Sequence, residues 1–295
     1  MSAPNGLLLL DKKSGLSSFD SLTRVKKTFD TGKVGHTGTL DRFACGLLVV
    51  LVGRAVKLAF LFENLAKEYY GEIFFGAETD TLDPEGSVIA QAPFPSPRAV
   101  EAVLGGFRGE ILQSPPVYSA IHVNGRRAHE LARAGKAPEM KKRPVTIFEL
   151  EILSWTPPVA KMRFLVSSGT YIRSLARDIA LAAGSRGHLL ALKRTKVGPF
   201  SLEDVEEDVL LPINRALFEK LSIPYFFLDD RAAGGFIHGR PLEAFLEPKG
   251  TETFFAGNPA AERAGVFRKD EPEKLLGVLE RRQGKWSYAH VFADN

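Results

Sequence analysis

Residues 47–52 read Leu-Leu-Val-Val-Leu-Val, an unbroken apolar run of strand length that fits a buried strand of a sheet. Directly ahead of it lies a polar stretch rich in turn formers, where Gly35, Gly38 and Thr39 lead to a lone carboxylate, Asp41. Glycine lets a backbone bend sharply or approach a ligand closely. A polar loop rooted on a buried strand is held still by that strand, which suits a reactive side chain. Taken alone, Asp41 also fits a simple turn residue that bonds to its own backbone.

The rest of the composition narrows the class. With 295 residues the chain can hold one large domain, or a large one and a small one. At 44% hydrophobic and 25% charged it is ordinary globular material with enough apolar mass for a sizeable core. A net charge of +4 and a pI near 9.1 lean toward a polyanionic partner without requiring one. One cysteine excludes an internal disulfide framework and a multi-cysteine metal site. The six histidines form no H-x-x-x-H or H-E-x-x-H pair, so a protein-built zinc site is not expected. The apolar run 7–10 is too short for a signal or a membrane span, and a cytoplasmic protein is expected.

Periodicity predicts the elements in order. Residues 6–10 suit a strand, and Phe19, Leu22, Val25 and Phe29 recur at helical spacing behind Ser17 and Ser18, either of which can cap. Residues 55–63 suit a helix. Residues 67–76 suit a strand in which Tyr69, Ile73 and Phe75 share a face and Tyr70 takes the other. A helix over 97–105 follows a proline cluster. Residues 145–155 and 161–167 alternate like two antiparallel strands. A helix then begins near Tyr171, with Leu175, Ile179 and Ala182 on one face. Arg173 falls in its first turn, where a cation is disfavoured and wants a nearby anion. The acidic residues 203–208 read as a solvated, linker-like helix. After residue 224 come short strand candidates at 225–228, 265–268, 275–280 and 286–292, with loop material around 248–257.

Between residues 122 and 143 lie seven cations, Arg126, Arg127, Arg133, Lys136, Lys141, Lys142 and Arg143, against Glu130 and Glu139. Such a run usually marks a solvated face. Interleaved with glycines, it also suits a flexible arm that contacts backbone phosphates.

Several ordered motifs give the chain a family likeness. The string G-H-T-G-T-L-D ending at Asp41, with A-C-G after it, resembles the catalytic motif of the TruB-type tRNA pseudouridine-55 synthases. Arg42 stands where that family usually has proline. L-L-L-L-D-K-K-S-G-L-S-S resembles its first motif, with Lys13 again in place of a proline, and K-E-Y-Y-G its second. T-D-T-L-D-P-E-G at 79–86, Q-S-P-P-V-Y-S-A at 113–120, S-S-G-T-Y-I-R ending at Arg173, and H-L-L-A-L-K-R-T from His188 complete the set. Together they span residues 6–198, which is far more specific than one short motif.

The resemblance implies an α+β fold. It implies a catalytic domain over 1–223 built on a mixed, mainly antiparallel sheet with flanking helices, with the basic stretch 122–143 as a thumb-like insertion. It implies a small C-terminal PUA-like β-barrel over 224–295 that binds RNA. The implied reaction turns a uridine of the tRNA T-arm, position 55, into pseudouridine after flipping the base, with no cofactor and no obligate protein partner, in a monomer.

The same likeness makes Asp41 the catalytic carboxylate, with Tyr69 stacking on the base and Tyr171 positioning it. Arg173 would pair with Asp41, hold it ionised and lower its proton affinity. Leu192 would form an apolar wall. Gly38 and Thr39 in the loop, His36 where the flipped base leaves a gap, and Arg126, Arg127, Lys141, Lys142 and Arg143 would contact RNA. Competing readings are a guide-RNA-dependent relative and a non-catalytic RNA-binding or RNA-folding protein.

Overall fold

The computed structural model describes residues 3–119, 121–123, 125–136, 138–243 and 261–292. The chain divides into two compact units, one formed by residues 9–50 and 59–208 and the other by 1–8, 51–58 and 209–295.

The larger sheet runs through β1 (Gly6–Lys12), β2 (Val34–Thr37), β3 (Cys45–Val52), β4 (Lys67–Phe75), β7 (Gly109–Gln113), β10 (Arg143–Thr156), β11 (Val159–Val166), β12 (Gly187–Val197) and β13 (Phe200–Ser201). Its order is β1-β3-β12-β4-β11-β10-β7, with β2 beside β3 and β13 beside β12. The β12–β3 pair is parallel, whereas β12–β4, β4–β11, β11–β10 and β10–β7 are antiparallel. Two small hairpins lie apart from it: β5 (Ala77–Thr79) with β6 (Val88–Gln91), and β8 (His122–Val123) with β9 (Arg126–Arg127).

Alternation decides which face is covered. Along β11, Ala160, Met162, Phe164 and Val166 are buried, while Lys161 and Arg163 point to the other side. The buried side packs with Phe75, Ile147 and Leu150 against α2 (Pro97–Leu104) and α4 (Ile172–Ala182). On the opposite side Arg163 gathers Glu68, Glu149 and Glu151 into a charged cluster. An apolar face under helices and a polar face without them is the usual economy of a largely antiparallel sheet.

Capping fixes α1 (Ser18–Thr28): Ser17 accepts from the Asp20 amide, and Asp20 returns a bond to the Ser17 amide. The helical pattern places Phe19 on the buried stripe, but Phe19 is 67% exposed under the Lys26 ammonium. The stripe that is buried runs through Ser18, Ser21, Leu22 and Val25. Ala182 is likewise exposed, because α4 turns Ala176, Ile179 and Ala180 inward instead. Residues 53–61 form a 3-10 helix, not the expected α-helix. Its buried Ala55, Leu58 and Leu61 recur every three residues, the repeat of that tighter coil. The acidic stretch also departs from expectation. Only Leu202–Asp204 coils, as one 3-10 turn, and Asp208 adopts a left-handed φ of 58° that a helix does not accept. A short helix, α3 (Ala128–Arg133), follows β9.

The other unit carries a four-stranded sheet in the order β14 (Tyr225–Leu228), β15 (Arg263–Arg268), β16 (Leu275–Arg282), β17 (Lys285–Val291). β14 and β15 are parallel, and the remaining pairs are antiparallel. Among the described residues this is one open row of strands and not a closed barrel. Two helices, α5 (Arg215–Lys220) and α6 (Asp230–Ile237), complete it. The periodicity gave no hint of α6, because Gly234 and Gly235 weaken its helical signal. Phe226, Leu228, Phe236, Val266 and Leu279 form its core. The loop expected at 248–257 lies outside the described residues. Among those described, no helix is long and apolar enough to cross a membrane.

Candidate active site

The loop between β2 and β3 is shaped from below by residues that grip its backbone. Arg194, 1% exposed on β12, donates from Nη2 to the Gly38 carbonyl at 2.9 Å and from Nε to that of Leu47 at 2.8 Å. Ser18 Oγ accepts from the Leu40 amide at 2.9 Å and donates to the Leu40 carbonyl at 3.0 Å. The buried Lys12 ammonium donates to the Ala44 carbonyl. Two glycines are required here. Gly38 holds φ at +76°, and a side chain on Gly46 would sit 2.2 Å from the Arg194 carbonyl.

Asp41 emerges from this loop to meet Arg173, the second residue of α4. Nη2 of Arg173 donates to Asp41 Oδ1 at 3.0 Å, and Nε lies 2.9 Å from Oδ2. Nη1 donates at 3.1 Å to Asp83, which is itself buried and bonded by Thr81 and the Glu85 amide. The carbonyls of Thr81 and Tyr118 take further guanidinium bonds. The first-turn cation therefore has its anions, as its position demands.

Burial pushes the Asp41 carboxyl above the ordinary carboxylate range; Arg173 pulls it down and Asp83 pushes it further up. This corrects the expectation that the guanidinium leaves Asp41 less basic than usual. Desolvation outweighs the ion pair, although 36% of the Asp41 side-chain surface still faces the cavity. A carboxylate held in place yet raised in basicity is a better proton acceptor and nucleophile than a solvated one.

The cavity, about 390 Å³, also brings Tyr69, Tyr171, Leu192, Gly38, Thr39 and Arg143 together with Asp41 and Arg173. Tyr69 is buried on β4, whereas Tyr70 is exposed on the other face, as the alternation predicts. The Arg143 guanidinium stands 5.0 Å from the centre of the Tyr171 ring and donates to the Gly169 carbonyl. Other expected residues lie elsewhere. His36 is half-buried on β2 outside the lining, and its Nδ1 is buried with no partner among the described residues. Arg126, Arg127, Lys141 and Lys142 are exposed outside the cavity.

A sequence profile described as "TruB family pseudouridylate synthase (N terminal domain)" matches residues 26–172. A tRNA pseudouridine synthase B of Francisella philomiragia is 39% identical over 289 residues, 95% of this chain and 92% of its own. The chain belongs to the TruB family. A tRNA pseudouridine synthase B of Borreliella burgdorferi is 47% identical over 203 residues, 68% of this chain and 72% of its own. A solved structure described as a Cbf5-Nop10-Gar1 complex shares the fold, with a TM-score of 0.66, 21% identity, and coverage of 98% of this chain and 84% of that one.

Three residues that shape this TruB-family site are not among the expected site residues: Lys67 and Arg194 line the cavity, and Asp83 stands behind Arg173. Asp83 sits in the polar, acidic turn 79–86, yet it is 5% exposed and holds Arg173. Arg194 stands two residues after Leu192 in the H-L-L-A-L-K-R-T string, lines the cavity and holds the Gly38 carbonyl. Lys67, 7% exposed, lines the cavity and donates to the Glu63 carbonyl. Burial, helped by Arg194, lowers its ammonium to about 8. Its signal was available: a lysine two residues from a core tyrosine on a strand shares that tyrosine's face.

Proposed function

We propose that this protein isomerises uridine 55 of the tRNA T-loop to pseudouridine, with Asp41 as the reacting carboxylate. The observation that carries this reading is the two-point ion pair of Asp41 with Arg173, inside the cavity that also holds Tyr69, Tyr171 and Leu192. The relatives' name, tRNA pseudouridine synthase B, supplies the substrate class.

The reaction is internally balanced. The N1–C1′ bond breaks, the base rotates, C5 joins C1′, and the hydrogen lost from C5 is matched by one gained at N1. Attack on C1′, attack on C6 and removal of a ribose proton all begin from the ionised carboxylate. Tyr69 stacks on the base, Tyr171 positions it, and Leu192 closes the apolar side. A loop uridine has to leave its stack to enter, at a cost of about a few kcal/mol, which contacts along the RNA offset. Arg126, Arg127, Lys141 and Lys142 supply phosphate contacts, and Arg143 works at the cavity edge. The PUA-like domain, 224–295, adds RNA surface.

The test is to incubate purified protein with a T-arm transcript and analyse its nucleosides. Pseudouridine at position 55 without any added protein or guide RNA is expected. Conversion only with a guide RNA, or binding with no conversion, overturns the reading.

A further inference from the structure

The segment that carries the basic stretch leaves the sheet at Gln113, the end of β7, and returns at Arg143, the start of β10; these two residues face each other in register. Both reach the same target. The Gln113 carboxamide accepts from the Tyr171 amide at 2.8 Å and donates to the Tyr171 carbonyl at 3.0 Å. Arg143 lies over the Tyr171 ring and binds the Gly169 carbonyl just ahead of it. Gln113 is 1% exposed. Tyr171 is the extended N-cap residue of α4, at φ −99° and ψ 110°, and its side chain makes no capping bond. Nothing in its own side chain therefore anchors that backbone.

A primary amide of this length meets both needs at once, whereas glutamate lacks the donor, methionine lacks both groups, and asparagine is one methylene too short. With both peptide groups flanking its Cα held, the direction in which the Tyr171 ring enters the cavity is left to one rotatable bond. A displacement of about 1 Å at such a ring is enough to slow chemistry on the order of a hundredfold.

We propose that Gln113 is a positioning residue for the uridine reaction, fixing the Tyr171 ring through its backbone while Arg143, its strand partner, covers one face of that ring. The inference rests on the reading that Tyr171 touches the bound uridine. Gln113 itself does not line the cavity and acts only through Tyr171.

The test uses the full chain with Gln113→Glu and, in case the buried acid impairs folding, Gln113→Met. On a T-arm transcript, kcat falls about 10- to 100-fold while KM changes less than about threefold. In a Tyr171→Ala background the same substitutions cost less than about threefold, because the two residues act as one unit. Equal losses in both backgrounds, or a matched change in kcat and KM, make Gln113 a residue of the fold alone and overturn the proposal. A second readout needs no turnover. With 3-fluorotyrosine incorporated, the ¹⁹F resonance assigned to Tyr171 through Tyr171→Phe shifts in Gln113→Met more than the other tyrosine resonances. An unmoved resonance overturns the proposal even if the wild-type protein leaves the transcript unmodified, an outcome that counts against the proposed function instead.

Discussion

Arg173 holds Asp41 at two points, with Nη2 donating to Oδ1 at 3.0 Å and Nε standing 2.9 Å from Oδ2. The other edge of the guanidinium is taken by Asp83 and by two carbonyls, so it has no free direction in which to swing. One guanidinium bridges the Asp41 and Asp83 side chains. The protein thus presents an oriented carboxylate whose basicity is raised by burial.

Replacing that carboxylate by its amide separates chemistry from binding. Asp41→Asn is expected to lower turnover by more than about a thousandfold. The amide keeps the shape, so affinity for a T-arm transcript in a filter or fluorescence assay stays within about threefold. Retained turnover removes Asp41 from the mechanism.

The pH profile carries the sign of the Asp41 shift. A carboxyl raised by burial binds its proton above the ordinary range, so activity falls with acidification earlier than for a solvated aspartate. For stability the sign is opposite to that of a paired surface carboxylate. The protonated form is favoured in the fold, and its contribution is lost as pH rises through the raised value. Arg173→Lys removes part of the downward pull, so the acid limb of log kcat moves to higher pH and kcat drops about a hundredfold with little change in affinity. An acid limb that stays in place means the guanidinium acts on the RNA alone.

Ser18 is expected to serve the loop and not the helix that contains it. Its hydroxyl takes both polar groups of Leu40, the residue before Asp41. Ser18→Ala leaves those buried groups unmet, at about 1–3 kcal/mol of stability. The check is a urea melt beside steady-state kinetics, in which kcat falls about tenfold and KM holds. An unchanged kcat at lowered stability limits Ser18 to the fold.

Lys67 sets stability against activity. Its folded value of about 8 lies below the usual lysine range, so native protein holds an unwelcome charge below that pH. Its penalty is relieved as pH rises through 8. Lys67→Met therefore raises the melting temperature at pH 7 and, because the ammonium lines the cavity, lowers kcat/KM for the transcript at least about tenfold. A melting temperature that falls in this variant excludes the buried-charge account.

The exposed lysines of the basic segment are expected to act through phosphate. Lys141→Glu with Lys142→Glu weakens binding and flattens the slope of log affinity against log salt by about 1.5, as loss of two phosphate contacts requires. The single-turnover rate at saturating RNA stays within about twofold, since neither residue lines the cavity. An unaltered salt slope places the RNA on another face.

How much of this was legible depends on the kind of interaction. Tyr69 and Tyr70 sort onto opposite faces because strand alternation is a property of the local backbone. The partnership of Arg173 with an anion was foreseeable from its place in a helix's first turn, and the motif order pointed to Asp41. Asp83 was not legible in the same way. A charged side chain reads as solvated until the fold brings a partner or a wall to it, and Asp83 meets Arg173 across 90 positions of chain. Phe19 fails in the opposite sense: helical spacing marks a stripe, but only the packing decides which of its ends is covered.

Strand β12 has one more consequence. It lies between β3 and β4, which follow one another in the chain but do not pair in the sheet. While a ribosome is still making this protein, the gap between them stays open until residue 197 has emerged, and the grip of Arg194 on the loop arrives with it. A nascent fragment that already carries Asp41 and Tyr69 therefore still lacks the strand that joins the two halves of the sheet on which they stand.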